Sequence, residues 1–129
     1  MSDPERLMRA YINALSRGDT AAILDLFAPS AKVESPLYGI KPAVDFYREL
    51  AQDTKGSTLD LQAVYVDPHD PRKAAIHIRY RWEMKGGEIV TFPCVDLFEF
   101  TGRPQKVSTL TIVYDTHPVR AAFTRQHAS

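Results

Sequence analysis

The stretch Lys73-Ala74-Ala75-Ile76-His77-Ile78-Arg79-Tyr80-Arg81-Trp82-Glu83-Met84 alternates residue by residue, and a second run, Glu88 to Phe100, follows it after Lys85-Gly86-Gly87. Ile76, Ile78, Tyr80, Trp82 and Met84 share one side of an extended chain, while His77, Arg79, Arg81 and Glu83 share the other. A period of two marks a strand with one face in a core and one toward water. Gly86-Gly87 can take up positive φ angles, which predicts a tight hairpin between the two runs. Gly102-Arg103-Pro104 predicts the next turn and Gln105–Tyr114 a last strand. Upstream, Ser57–Val66 alternates loosely as far as the breaker Asp67-Pro68-His69-Asp70-Pro71.

The N-terminal half has a different period. Leu7, Met8, Tyr11, Ile12 and Leu15 recur at the spacing of one helix face. Ser2 with Glu5, or Asp3 with Pro4, marks the start of that helix, and Gly18 its end. Asp19 or Thr20 caps a short second helix with Ile23, Leu24 and Phe27 facing inward. Ala31–Ser35 then alternates as a strand, Pro36–Gly39 turns, and Pro42 opens a third helix with Val44, Tyr47, Leu50 and Ala51 on its stripe and Gly56 at its end. The tail Thr116–Arg125 predicts a short helix. Helices followed by hairpin-linked strands indicate an α+β domain, with helices covering one face of an antiparallel sheet. Four or five strongly twisted strands, curved around a long N-terminal helix with three helices in the N-terminal half, would enclose a pocket.

Composition narrows the function classes. The chain has 129 residues, enough for one domain (1–129), with 44% hydrophobic residues to build its core. Sixteen Lys+Arg balance sixteen Asp+Glu, so there is no basic excess for nucleic acid or for an anionic membrane surface. No apolar run approaches the ~20 residues of a bilayer span, and the start lacks the charged and apolar regions of a secretory signal. These features predict a cytoplasmic protein. Cys94 is the single cysteine, and the four histidines have no H-x-H or E-x-x-H spacing, so neither a disulfide nor a metal site is expected. No Gly-rich phosphate loop points to a nucleotide, and no cofactor is expected.

One residue resists a purely structural reading. On the second run Val90, Phe92, Cys94, Asp96, Phe98 and Phe100 share a face, which places Asp96 in the middle of an apolar surface. An ionised carboxylate there is costly, so the group pairs, accepts hydrogen bonds, or stays protonated with a raised pKa. A neutral carboxylic acid can donate to a developing oxyanion. The alternative is a β-bulge at Pro93 that flips the parity, or a bond from Asp96 to an edge amide. Tyr11 and Tyr47, both on helix stripes, need partners for their hydroxyls if buried. By parity Ile78, Tyr80 and Trp82, with Leu110, Ile112 and Tyr114, line the same interior as Asp96, Cys94 and Phe98.

The combination resembles a known family. Ala10-Tyr11-Ile12-Asn13-Ala14-Leu15-Ser16-Arg17-Gly18-Asp19, Leu26-Phe27-Ala28, Ala31-Lys32-Val33-Glu34-Ser35-Pro36, Phe46-Tyr47 and Pro93…Asp96-Leu97-Phe98-Glu99-Phe100 are similar to segments of the bacterial ketosteroid isomerases, within the nuclear-transport-factor-2-like (NTF2-like) or SnoaL-like superfamily. The resemblance implies a conical α+β fold. It also implies that Tyr11 and a protonated Asp96 donate to an enolate oxygen, that Tyr47 orients Tyr11, and that the pocket takes a small apolar carbonyl compound. The family's base is an aspartate where this chain has Ser35, and an unactivated hydroxyl is too weakly basic to move a carbon-bound proton. The expectation is therefore an isomerase, lyase or cyclase type of enzyme without the usual steroid Δ5-3-oxo isomerisation. Glu34, His117 or a water are the candidates for the missing base, and the alternative is a non-catalytic binding module. Ile89, Thr91, Val95 and Leu97, with Thr109, Thr111 and Val113, form an apolar outer sheet face that predicts a homodimer.

Overall fold

Helix α1 (Asp3–Ser16) begins where Ser2 Oγ accepts the Glu5 amide at 3.2 Å, with Pro4 in the first turn. A computed structural model of the chain describes residues 2–128. Met8, Tyr11, Ala14 and Leu15 form the buried stripe of α1. Its end needs glycine. Gly18 has φ +66° and donates to Leu15 O, while Asp19 N–H reaches Ala14 O, the paired bonds of a left-handed C-terminal cap. Asp19 then caps α2 (Thr20–Asp25) through its Oδ1, which accepts the Ala22 amide at 3.0 Å.

The remaining elements are β1 (Phe27–Ser35), β2 (Gly39–Pro42), α3 (Ala43–Asp53), β3 (Thr54–Val66), β4 (Lys73–Met84), β5 (Ile89–Thr101), β6 (Lys106–Val113) and α4 (His117–His127). The six strands form one sheet in the order β2-β1-β6-β5-β4-β3. Four of its five neighbouring pairs are antiparallel and one, β1–β6, is parallel. The succession of hairpins from β3 to β6 sets the direction of β6, and β1 joins its open edge from the other end of the chain. Two strands so far apart in sequence need no tight turn and can pair in parallel. Helices α1 and α3 pack on the sheet, and α4 packs against β5. The result is an α+β fold with its core between the helices and one sheet face.

Several local expectations are revised. The four-residue strand β2 adds a sixth strand in place of a plain turn into α3. Phe27 lies in β1 and not on α2. The buried stripe of α3 is Ala43, Phe46 and Tyr47, with Val44 exposed, because the helix faces the sheet through the turn that carries two aromatic rings. Helix α3 passes into β3 at Thr54, so Gly56 lies inside a strand. The β4–β5 hairpin closes where Met84 N–H donates to Glu88 O and Gly87 N–H donates to Met84 O, and only Gly87 (φ +96°) needs positive φ.

Candidate functional site

Strand β5 alternates without interruption through its centre: Phe92, Cys94, Asp96, Phe98 and Phe100 are buried, and Thr91, Pro93, Leu97 and Glu99 are exposed. Pro93 introduces no bulge, since β4 and β5 stay in register from Lys73↔Glu99 to Glu83↔Ile89. Asp96 lies opposite Ile76 on β4 and Ile112 on β6, and is 2% exposed. Among the buried described residues it is the sole Asp, Glu, Lys, Arg or His. Its one hydrogen-bond partner there is the Cys94 thiol, which donates to Oδ1 at 3.3 Å, and no Lys, Arg or His pairs with it. Burial raises the carboxyl pKa from 3.8 to about 7, against a smaller lowering by the thiol. The same burial, with the negative charge of Asp96 nearby, pushes the Cys94 thiol far up, so the sulfur keeps its proton.

Helices α1 and α3 bring two tyrosines together above this strand. The Tyr11 and Tyr47 hydroxyls are 2.8 Å apart, with residue exposures of 2% and 1%. Tyr11 is wedged edge-on against Phe98 (5.4 Å between centroids) and Phe27 (6.2 Å). Burial is the main reason that both phenols titrate well above their usual range, and the Asp96 charge adds to it. Tyr11 is held as a neutral hydroxyl whose direction Tyr47 restricts.

Tyr11 and Asp96 face one partly enclosed cavity of about 50 Å³. Among the residues singled out from sequence, Ser35, Tyr80, Trp82, Cys94, Ile112 and Tyr114 also line it, while Tyr47 stands behind Tyr11. Ile78, Phe98 and Leu110 do not line it. They share the inward parity but are 1%, 1% and 0% exposed, packed into the hydrophobic core; Phe98, for one, lies under the Tyr11 ring. Strand parity gives a side chain's face, not whether a helix covers it. The wall also includes Leu15, Tyr38, Phe46, Leu50 and Phe92. The parity of Phe92 and the helix spacing of Leu15 and Leu50 were available in the sequence. Tyr38, in an irregular turn, left no signal.

Ser35 and Glu34 are each hydrogen-bonded within the fold. Ser35 Oγ accepts the amides of Leu37 (3.2 Å) and Tyr38 (3.1 Å), and so closes the turn that places Tyr38 against the cavity. Glu34 faces away and its Oε2 accepts from Thr111 Oγ1 at 2.8 Å. His117 is exposed at the start of α4, and its amide caps on Asp115 Oδ1. Among the described residues no three His, Cys, Asp or Glu side chains converge as metal ligands. No helix there is long and apolar enough to cross a membrane.

Comparison with known proteins bears on this geometry. The SnoaL-like domain family matches residues 8–107. Among solved structures, an NTF2-like protein of unknown function from Burkholderia pseudomallei is similar over 100% of both chains, at 19% identity and a TM-score of 0.78. A hypothetical protein with a ketosteroid isomerase-like fold from Catenulispora acidiphila, in complex with trimethylamine, is similar over 89% of each chain, at 15% identity and a TM-score of 0.75. The epoxide hydrolase/cyclase-like enzyme SalBIII, of pyran ring formation in the polyether salinomycin, is similar over 88% of this chain and 92% of its own, at 14% identity and a TM-score of 0.75. At these identities the likeness is one of fold. No curated protein matches the sequence. The family match covers most of the chain and takes in Tyr11, Ser35, Tyr47 and Asp96, so the chain belongs to the SnoaL-like domain family, on the NTF2-like fold.

Proposed function

We propose that the protein binds a small, largely apolar carbonyl compound in this cavity, where Tyr11 and Asp96 donate to its oxygen and stabilise enolate-type charge. The observation that carries the reading is Asp96, a carboxyl group buried without a cation and with one oxygen unbonded by the protein. A pKa of about 7 leaves a large neutral, donating fraction at neutral pH, and a low-dielectric wall strengthens that donation. The cavity volume of about 50 Å³ is far below the ~300–1,000 Å³ of pockets for drug-sized ligands, so a compact head group suits it better than a fused polycycle. With Ser35 in place of a carboxylate, the carbon-bound proton would leave to water or to the substrate itself, and steroid Δ5-3-oxo isomerisation is not part of the reading.

Hydrogen–deuterium exchange at the α-carbons of cyclohexanone in D2O, followed by NMR, tests this without knowledge of the natural substrate. Exchange above the buffer rate that falls ~10²–10³-fold in Tyr11→Phe and Asp96→Leu supports enolate stabilisation. Exchange equal in wild type and both variants would refute it. A second reading, a non-catalytic module that grips a carbonyl or phenol with the same donors, is favoured by the engagement of the Ser35 oxygen in its turn. It predicts phenol binding that depends on Tyr11 and Asp96, with no exchange. The proposal extends to a homodimer through the outer sheet face, where Ile89 (48%), Leu97 (45%) and Val113 (49%) are exposed. Light scattering should show a dimer that Leu97→Glu dissociates; a monomeric wild type would remove that part.

A further inference from the structure

The polar atoms on the cavity wall can be followed one by one. The Tyr38 hydroxyl donates to Asp53, the Tyr80 hydroxyl bonds Ser57 Oγ at 2.7 Å, and the Trp82 indole N–H donates to Thr54 Oγ1 at 2.8 Å, so all three are turned to partners behind the wall. Tyr11 is engaged with Tyr47, Cys94 with Asp96, and the Ser35 oxygen with two amides. Two groups remain without a partner among the described residues: the second carboxyl oxygen of Asp96 and the hydroxyl of Tyr114. Asp96 belongs to the site already described; Tyr114 does not yet have a role.

Tyr114 is well placed to have one. Its ring is half-buried and packs on Phe92, 4.6 Å between centroids at 33°, which limits its motion. Burial pushes its hydroxyl pKa up, and the nearby Cys94 and Asp96 add to that, so the group keeps its proton. Asp96 pairs with Ile112 and Val95 with Val113, so Tyr114 stands one same-face step beyond Ile112 and diagonal to Asp96. Diagonal neighbours on adjoining antiparallel strands have side chains rooted ~7–8 Å apart. Two donors so rooted address two positions in the cavity more readily than one. Tyr114 lines the cavity and its hydroxyl makes no hydrogen bond to another described residue, so the O–H is left free to donate to an oxygen of a ligand held there.

We propose that Tyr114 donates to a second oxygen of the ligand, and so selects small carbonyl compounds with two oxygens, such as 1,3-dicarbonyl or hydroxy-carbonyl compounds, over those with one. The inference rests on the reading of the cavity given above. Tyr11 and Asp96 take the oxygen that gains charge, and Tyr114 sets which molecule presents it.

Phenol and resorcinol, one ring with one or two meta oxygens, separate the two claims. Affinities are measured by NMR or calorimetric titration of wild type, Tyr114→Phe and Asp96→Leu. Resorcinol should bind wild type about three- to tenfold tighter than phenol, beyond the roughly twofold its equivalent hydroxyls give by statistics. In Tyr114→Phe, which keeps the ring on Phe92, the ratio should fall to the statistical value. A statistical ratio in wild type, or an advantage that survives Tyr114→Phe, overturns the role of Tyr114 and leaves the Tyr11/Asp96 reading standing. Phenol that fails to bind, or that binds Asp96→Leu as well as wild type, overturns that reading and this inference with it.

Discussion

Replacing Asp96 by asparagine isolates the cost of a charge in this interior. In the unfolded chain the carboxyl ionises near 3.8; in the folded protein burial holds it to about 7. Between those values the native state binds a proton that the unfolded state has released, so stability falls as pH rises. Below about 3.8 both states are protonated and there is no penalty; above about 7 the penalty is complete. The interval is just over three decades, and at about 1.36 kcal/mol each it amounts to about 4 kcal/mol. The asparagine amide is neutral throughout and carries no such penalty. Urea unfolding of wild type and Asp96→Asn from pH 4 to pH 9 should show the variant gaining about 4 kcal/mol relative to wild type, mostly below pH 7. Every other titrating group is common to the two and cancels in the difference. A flat difference curve would mean that Asp96 ionises freely in the folded state, and the reasoning about its neutral form would fail.

Phenol binding by the wild type should weaken as pH rises through about 7, because ionised Asp96 loses its donor, and this fall should be absent from Asp96→Asn; a binding curve level from pH 6 to pH 8 would count against donation by the acid. Phe98→Ala should destabilise by about 3–5 kcal/mol, read as a lower urea midpoint, since the ring is 1% exposed and supports Tyr11. A loss under about 1 kcal/mol would show that the core collapses around the gap. Gly18→Ala should cost about 1 kcal/mol in the same assay, from the positive φ alone, because a methyl group there meets open space; no loss would show that the cap relaxes.

The arrangement also explains why the cavity wall carries so many polar side chains in an apolar setting. Tyr38, Tyr80 and Trp82 are large rings that fill the cone, and each sends its polar end outward to Asp53, Ser57 or Thr54. Their rings supply bulk, and their polar atoms are satisfied where water or a strand edge is near. Asp96, in the middle of β5, and Tyr114, just past the end of β6, line the cavity instead from the sheet's inner rows.

Periodicity carried the β4–β5 pair, the stripe of α1, and the inward position of Asp96, because each is a local property: alternation assigns faces, and helix spacing assigns stripes. The same rules placed Tyr11 and Tyr47 on buried helix faces, but they could not bring the two hydroxyls to 2.8 Å, which depends on how α1 and α3 cross over the sheet. Nor could they separate Cys94 and Tyr80, which line the cavity, from Ile78 and Phe98, which have the same parity and lie in the packed core. Ser35 stands where the resemblance calls for a base, yet its oxygen serves the turn beside it. By itself the chain determined which side of each element is apolar and that one acid sits among apolar neighbours. The tertiary structure decided which apolar side chains leave a space between them, and so which polar atoms face it. Burial is a property of contacts between distant segments, and the raised pKa of Asp96 follows from that burial.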